Sequence, residues 1–400
     1  MQKKPLIGKC LAVGIILLFI GTGIIPAIAQ ESEKPSQSTS RGNWLYVGGS
    51  GPENYSKIQD AIDDATSGDT VFVYSGIYYE NIIINKTGIS LIGEDKYSTI
   101  IDGKREDDTI WIRASFVKVS GFTIVNCSTE GSYAGILVLE EKWWEPSNPP
   151  YLSDINISDC IIKNNRCGIR LYSVYATNVS SCIIHNNSAN GIYVVASSHI
   201  NMNRCEITHN GDIYIGGVFI KRDDTIGISD YVSISNCSIS YNFWSGIYVM
   251  EDSQNIEFYH NNIFENTNYG ILVSESNAKI YGNHIYNNGI GGFLDGGILL
   301  QDCTNNITVY DNNIETNNQY GLYLLRSSAN SITKNNFIQN KYNAYFLQFS
   351  LFNHWNGNYW TDWVGLGPKL IKGKLGEVFV PWVNFDWRPA QEPYDIPGTK

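Results

Sequence analysis

Five charged residues stand at one repeated place in this 400-residue chain. Arg222, Glu251, Glu275, Asp302 and Arg326 each lie five residues after a glycine, at 217, 246, 270, 297 and 321. Asp223 and Asp252 lie alongside. If successive repeats stack, three acids fall on consecutive rungs with an arginine at each end. Carboxylates crowded in that way repel, so that one keeps its proton or the group recruits a hard cation such as Ca2+. One rung apart they would sit near the separation of about 5 Å used by retaining glycosidases, and two rungs apart near the roughly 6.5–9.5 Å of inverting ones. Glu251 with Glu275, or Glu251 with Asp302, are therefore the candidate catalytic pairs, and insertions between repeats can shift them out of line. The alternative is a solvated charge column in which the end arginines neutralise the repulsion.

The same glycines open segments of alternating apolar residues. Positions one and three after the glycine, such as Ile247 and Val249, are aliphatic and point inward. The residue between them points out and reads Tyr193, Phe219, Tyr248, Leu272, Leu299, Tyr323 and Phe346. An outward apolar column is not an ordinary solvated face. Either the aromatic C-terminal segment, with Trp355, Trp360, Trp363, Trp382 and Trp387, folds back over it, which is the favoured expectation, or sugar rings or a partner protein bind there. On the second account Tyr193, Phe219, Tyr248 and Tyr323 are ligand-binding residues, flanked by Arg222 and Arg326. Trp143 and Trp144, in a Pro-rich insertion, either stack on sugars or pack their own loop.

Such columns require an element that repeats. From Asp154 to Leu347 an aliphatic or aromatic marker recurs eight times, at Ile162, Ile184, Ile207, Ile239, Ile263, Ile285, Ile314 and Phe337. Three residues after each stands Asn165, Asn187, Asn210, Asn242, Asn266, Asn288, Asn317 or Asn340. A fixed period with alternation of two inside each unit means a solenoid whose units bury their apolar face only by stacking. The Val, Ile, Tyr and Thr content and the density of Asn and Gly exclude helical solenoids, which leaves a parallel β-helix with rungs about 4.8 Å apart. In such a stack the amides bond along the axis, and Asn tolerates the left-handed bend between strands. The Asn column is accordingly structural.

Soft-metal chemistry needs imidazole, thiolate or thioether groups that converge. The chain has six His and three Met. His185 and His209 fall one and two residues past their markers, on opposite sides of the wall, while His199, His260, His284 and His354 occupy unrelated positions. Cys160, Cys182, Cys205 and Cys237 do form a column, continued by Asn261, Asn283, Asn312 and Asn335. That position points inward, where Cys packs as a small apolar group. Rungs about 4.8 Å apart leave one disulfide between neighbours open. No cofactor is expected, with Ca2+ open at the acidic column and copper disfavoured by ligand geometry.

Residues 1–30 carry Lys3, Lys4 and Lys9, an apolar run from Leu11 to Ile25, and Ala27-Ile28-Ala29. That pattern reads as a secretory signal peptide, with an uncleaved anchor as the alternative. Residues 31–43 are a linker, 44–103 the N-terminal cap and first coils, 104–350 the repeats, and 351–400 a C-terminal cap or tail. Ile58, Ile62 and Ala65 share one helical face, which suits a short helix covering the open end of the core. Without the three signal lysines, 25 basic residues face 39 acidic ones and the formal charge moves from −11 to −14. Nucleic acid is excluded as a partner for so acidic a chain. Eight sequons, at Asn54, Asn85, Asn126, Asn156, Asn178, Asn186, Asn236 and Asn306, agree with a surface location.

The opening IQDAIDDATSGDTVFVYSGIYYENIIINKTGISLIGED, the Asn-Asn and Gly-Ile coils, and the closing Asn356-Gly357-Asn358-Tyr359-Trp360-Thr361-Asp362 resemble the NosD-type right-handed parallel β-helix proteins of archaeal and bacterial cell surfaces. The resemblance runs from about residue 44 to 397. It implies an all-β, right-handed parallel β-helix with an N-terminal capping helix and an aromatic-rich C-terminal segment. Its name-giving members are periplasmic proteins linked to copper delivery, and the same coil also resembles pectate lyases and polygalacturonases, so the fold alone does not choose an activity. Neither the clustered Asp, His and Arg-x-Lys motifs of polygalacturonases nor the Gln-Asp strand of pectin methylesterases stands in the central coils. The ending after Leu351 departs from the Gly-Asp-rich segment common in the family, which removes its best-defined metal loop. The favoured expectation is a secreted or cell-surface monomer, without a membrane span beyond the signal segment, that binds polysaccharide or another envelope component along its long face. A polysaccharide lyase or glycoside hydrolase working through Glu251, Glu275 and Asp302, and a copper-handling accessory protein, are the alternatives.

Overall fold

Residues 42–140, 152–212, 216–292, 295–304, 307–376 and 380–398 are described by the computed structural model. The signal and linker segments up to residue 41, the Trp143–Trp144 loop and the sequon at Asn306 lie outside them. β-Branched residues alternate with polar ones in short strands, three to a coil, as in Ile256–Tyr259, Asn262–Phe264 and Tyr269–Ser274. Each strand pairs in parallel with its equivalent one coil on, here Ala278–Tyr281, His284–Tyr286 and Gly296–Gln301. The result is an all-β right-handed parallel solenoid of about 13 turns, whose strands fall into one 26-stranded and one 12-stranded sheet. Right-handedness is the sense that parallel crossovers take.

Inward side chains stack on their own kind. Ile162, Ile184, Ile207, Ile239, Ile263 and Ile285 are all fully buried, and each is worth roughly 1.5–3 kcal/mol of transfer free energy. No single coil could bury both sides of that row, so the stack supplies what the unit lacks.

The bends are where backbone must turn and polar groups go inside. At the Asn bend the residues Asn164, Asn186, His209, Tyr241, Glu265, Asn287, Thr316 and Gln339 hold φ of 51–55°, the left-handed region. The next residue in each coil then turns inward as a buried amide. Asn266 is typical: its Nδ2 donates to Ile239 O at 3.0 Å and to Asn288 Oδ1 at 3.0 Å, while its Oδ1 accepts the backbone N–H and the Nδ2 of Asn242. The chain of amides runs from Asn187 to Asn340 and on to Asn343, whose Nδ2 donates to Asp362 Oδ1 at 2.8 Å. Asn165 precedes the row, its N–H donating to Asn187 Oδ1, and Cys127 takes the position one coil before Asn165, its N–H donating to Asn165 Oδ1. Close stacking leaves no room for a side chain opposite this ladder. A Cβ on Gly217 would lie 2.4 Å from the carbonyl oxygen of Gly246.

A second ladder begins with Cys160, Cys182, Cys205 and Cys237 and continues through Asn261, Asn283, Asn312, Asn335 and Asn358. It ends on Asp386, fully buried, whose carboxylate accepts from the N–H groups of Gly357, Asn358 and Arg388, from Asn358 Nδ2 and from Trp360 Nε1. The seven described cysteines are free and buried. Thiols in the upper half of this ladder donate weakly to backbone carbonyls, as Cys237 does to Ser235 O at 3.2 Å. Burial pushes Cys127 and Cys303 up to about 11 and Cys167 to about 12, so none of these three is a ready thiolate.

Helix Ile58–Asp64 closes one end with Ile58, Ala61 and Ile62 buried. At the other end the described residues of the C-terminal segment reach the outward column only at its last rung, where Tyr345 lines a groove with Trp382 and Phe385, and do not fold back over its length, contrary to the favoured expectation. Strand Lys369–Leu375 adds in parallel to Tyr342–Leu347, and strand Val380–Asp386 returns antiparallel to it, so the segment terminates the stack. The driving force is core closure: Trp360 stacks on Phe337 at 4.3 Å and Trp355 is buried, while Trp382 and Trp387 stay exposed.

Replacing Asn266 by Ala removes partners from the buried N–H of Asn242 and the carbonyl of Ile239. We expect a loss of about 2–4 kcal/mol, read as a lowered midpoint in thermal or urea unfolding.

Candidate functional site

The outward face of the sheet containing Tyr269–Ser274 carries a continuous column. Strand register aligns Ile83, Trp111, Leu137, Arg170, Tyr193, Phe219, Tyr248, Leu272, Leu299, Tyr323 and Tyr345. Phe346, expected at the last position, instead pairs with Leu324 and is fully buried. The cause is a turn one residue shorter: Asn343, three residues after Asn340, takes the place that Gly321 holds four residues after Asn317.

Tyr193, Phe219 and Tyr248 are half-buried and stack face to face, at 5.3 Å and 9° and then 5.0 Å and 17°. Ring faces inside the stack are spent on one another, so the column offers solvent ring edges and the Tyr193 and Tyr248 hydroxyls. Further along, Leu272, Leu299 and Tyr323 are buried beneath Tyr269, Tyr320 and their neighbours. Tyr323 is thus a floor residue, not an open stacking platform.

Beside this trough runs the charge column, on left-handed bends: φ is 62° at Glu251, 56° at Asp252, 50° at Glu275, 53° at Asp302 and 49° at Arg326. Two left-handed residues in succession give the Glu251 coil one more residue at this bend than the next coil. The extra residue alters which acid faces its neighbours. Asp252 N–H donates to Glu275 O, and a polar cleft of about 300 Å3 is lined by Asp252, Glu275 and Asp302 together with Ser253, Ser276 and Asn277. Glu251 lies outside that lining and pairs with Lys221 at 3.4 Å. The catalytic pairs involving Glu251 are therefore not the ones the cleft assembles.

Most of these charges are neutralised. Arg222 bonds Asp252 at 2.9 Å and Asp224 at 3.2 Å. Arg326 grips Asp302 through Nε and Nη2 at 2.5 and 2.8 Å, and these bonds hold the Asp302 carboxyl below its ordinary range. Glu275 is exposed and has no ion pair among the described residues. Asp223 is tied back: hydrogen bonds from Thr225 and then from the Tyr172 hydroxyl, at 2.5 Å, pull its carboxyl down to about 2.

At the other end of the trough lies a group that the spacing analysis passed over. Arg170 stands two residues after Gly168, the offset that places Tyr193 after Gly191, and its guanidinium carbon is 5.6 Å from the ring centres of Tyr172 and Tyr193. Asp108, nearby and buried, accepts the N–H of Ala134 at 2.6 Å. Burial pushes its carboxyl up to about 7, with Asp107 adding to the rise and Arg170 opposing it. No pattern in the sequence marks Asp108, since it belongs to a turn and not to a column.

The six histidines do not converge. His185 and His209 both lie on the outside of the wall, not on opposite sides as expected; His209 stacks on Tyr241 at 5.0 Å, and His199 sits between Tyr175 and Tyr231. His284 Nε2 bonds Glu315 at 2.6 Å. Among the described residues no three His, Cys, Asp or Glu side chains are grouped to hold a metal, and the column thiols face the core. The same residues contain no helix long and apolar enough to cross a membrane.

A parallel β-helix with an outward trough defines a broad class of proteins. Within it, the family described as periplasmic copper-binding protein (NosD) matches residues 62–226, and the right handed beta helix region matches 216–338. A cell surface glycoprotein of Methanothermus fervidus is 29% identical over 359 residues, covering 81% of this chain and 54% of the relative. This chain thus spans about half the length of that relative. The mannuronan C-5 epimerase AlgE4 A-module of Azotobacter vinelandii is similar in fold, with a TM-score of 0.58 at 17% identity over 74% of this chain and 94% of that one. The Dettilon tailspike protein gives 0.55 at 15% identity, covering 75% of this chain and 62% of that one. The chain is a right-handed β-helix protein that resembles the NosD family over residues 62–226. The copper of the family description does not fit the described residues: no three His, Cys, Asp or Glu are grouped to hold a metal, and the stacked thiols of Cys160, Cys182, Cys205 and Cys237 are buried in the core away from every imidazole.

Asp108 supplies a pH test. With a folded pKa near 7 against an ordinary 3.8, the folded state holds a proton that the unfolded state has lost, so stability falls as pH rises from about 4 to about 7 and is level above. Asp108→Asn keeps an acceptor for the Ala134 N–H. We expect the variant to exceed the parent at pH 8 by about 2–4 kcal/mol and to match it near pH 4, as measured by urea unfolding across that window.

Proposed function

We propose that this protein works outside the cytoplasm, at the cell surface, as a recognition module that holds polysaccharide along the trough. The observation that carries the proposal is the Tyr193–Phe219–Tyr248 stack, half-exposed on the outer face of a rigid sheet and bordered by a column of polar and charged bends. Sheet and stack fix these rings in advance, so little side-chain entropy remains to be lost on binding. The Tyr193 and Tyr248 hydroxyls stand two rungs apart, about 9.6 Å at strand spacing, a separation close to two sugar rings of an extended chain. The name of the Methanothermus fervidus relative, cell surface glycoprotein, and the N-terminal Lys-apolar-Ala-x-Ala pattern support the location.

A hydrolase or lyase is the second reading, favoured by the cleft of Asp252, Glu275 and Asp302. Acid catalysis calls for a carboxyl whose pKa is raised toward neutrality, whereas Arg326 holds Asp302 down. The cleft better suits recognition of hydroxyls, or of a hydrated cation that bridges to sugar.

A glycan array probed with the chain, with and without Ca2+, followed by an assay for released reducing ends on every hit, separates the two. Recognition predicts hits without release, lost in Tyr248→Ala. Release abolished by Glu275→Gln would replace recognition with catalysis, and an array with no hits would overturn both.

A further inference from the structure

We propose that Arg166 and Arg170 form an anion subsite at one end of the trough, which selects polysaccharides bearing acidic sugars. The inference rests on reading the trough as carbohydrate-binding and names the class of carbohydrate.

Among the described residues, Arg170 is the single charged side chain in a column that is otherwise apolar or aromatic over eleven rungs. A guanidinium placed there loses hydration without gaining a carboxylate. Its Nη1 donates to the backbone oxygen of Ser132 at 2.7 Å, and Arg166 Nη1 donates to Thr129 O at 2.9 Å. Neither arginine pairs with a carboxylate among the described residues, in a chain where acids outnumber bases 39 to 28. Both line a pocket of about 180 Å3 with Tyr133, Asn190, Tyr193 and Phe219. The two guanidinium groups and the three rings thus border a space the size of a sugar substituent. A planar fork of donors suits a carboxylate or a sulfate ester, and charge-assisted contacts of that kind are roughly twice as strong as neutral ones.

The acids near the pocket include Asp108, its neighbour Asp107, and Asp223, whose carboxylate is engaged by the hydroxyls of Tyr172 and Thr225. Asp108 is buried, and burial pushes its carboxyl up to about 7, so it is only partly ionised at neutral pH. Glu275, the exposed unpaired acid of the charge column, belongs to the Leu272 rung, four rungs from Arg170, which is about 19 Å at strand spacing and about two Debye lengths at physiological salt. Repulsion from it is largely screened, and the charged residues that line the pocket itself are the two arginines.

Titration of the intact chain with a galacturonate hexasaccharide, its fully methyl-esterified form and a chondroitin sulfate hexasaccharide tests the subsite. An acidic form should bind about tenfold or more tighter than the ester, and that advantage should shrink as salt rises while ester binding holds steady. Preference for galacturonate identifies the carboxylate as the anion, and preference for the sulfated sugar identifies the ester. Arg170→Gln and Arg166→Gln should remove the advantage and leave ester binding unchanged. Equal binding of acid and ester by the parent chain, insensitive to salt, would overturn the subsite and leave the trough intact. Equal loss of acid and ester binding in both variants would show a structural role only and overturn it as well. Failure of all three probes, together with an empty glycan array, would sink the trough reading itself.

Discussion

Every coil of this protein must turn its backbone, and at the bends it sends a polar side chain inward. A buried amide with open valences costs about 1–3 kcal/mol, and nothing within its own coil can satisfy all of them. The equivalent amide one rung away can. Asn242, Asn266 and Asn288 each give a hydrogen to the next and receive one from the last. That reciprocity is why the ladder residue must recur without a break, why the coils keep register, and why insertions emerge only between strands. The aliphatic rows beside the ladders contribute most of the free energy, but aliphatic rows tolerate slippage. Amides do not.

Features enforced by that constraint were legible from residue types alone: the Asn column, the Cys column turning into Asn, the glycines that open the strands, and the outward aromatic strip. Local accidents of chain length were not. One additional left-handed residue at Glu251–Asp252 exchanges which acid reaches the cleft, and one residue fewer before Asn343 exchanges Phe346 for Tyr345. Alternation carries the side of each residue only while the count holds, and an error of one inverts every assignment after it. The C-terminal tryptophans misled for a different reason. Composition shows that they need burial, but it does not show that an open core end competes for them more strongly than an exposed strip. Arg170 was within reach of the same offset rule and stood out only once its apolar neighbours were aligned.

The outer surface follows from the inner one. Because the ladders hold each strand to its equivalent, side chains on the outside are also brought into rows, whether or not those rows are useful. Tyr259, Tyr281 and Tyr310 stack on another face, at 5.2 and 5.0 Å, as readily as Tyr193, Phe219 and Tyr248 do on the trough. Stacked rings are thus a by-product of the architecture. What distinguishes the trough is its neighbours: a row of charged bends on one side and an unpaired pair of guanidinium groups at one end. The same order keeps the histidines and thiols from meeting, since residues fixed in separate rows cannot gather around one metal ion.

The ladders also have a direction. Each amide in both Asn rows places its NH2 toward the C-terminal end of the stack and its oxygen toward the N-terminal end, so the amide dipoles add instead of cancelling. Such a row has a positive end, much as a helix does at its first turn. In both rows that end is met by a carboxylate, Asp362 for one and Asp386 for the other. The solenoid therefore carries its own electrostatic full stop. Coils gained or lost in the middle change the length of the dipole but not its termination, and a coil added beyond the aspartates would face an anion where it expects an amide.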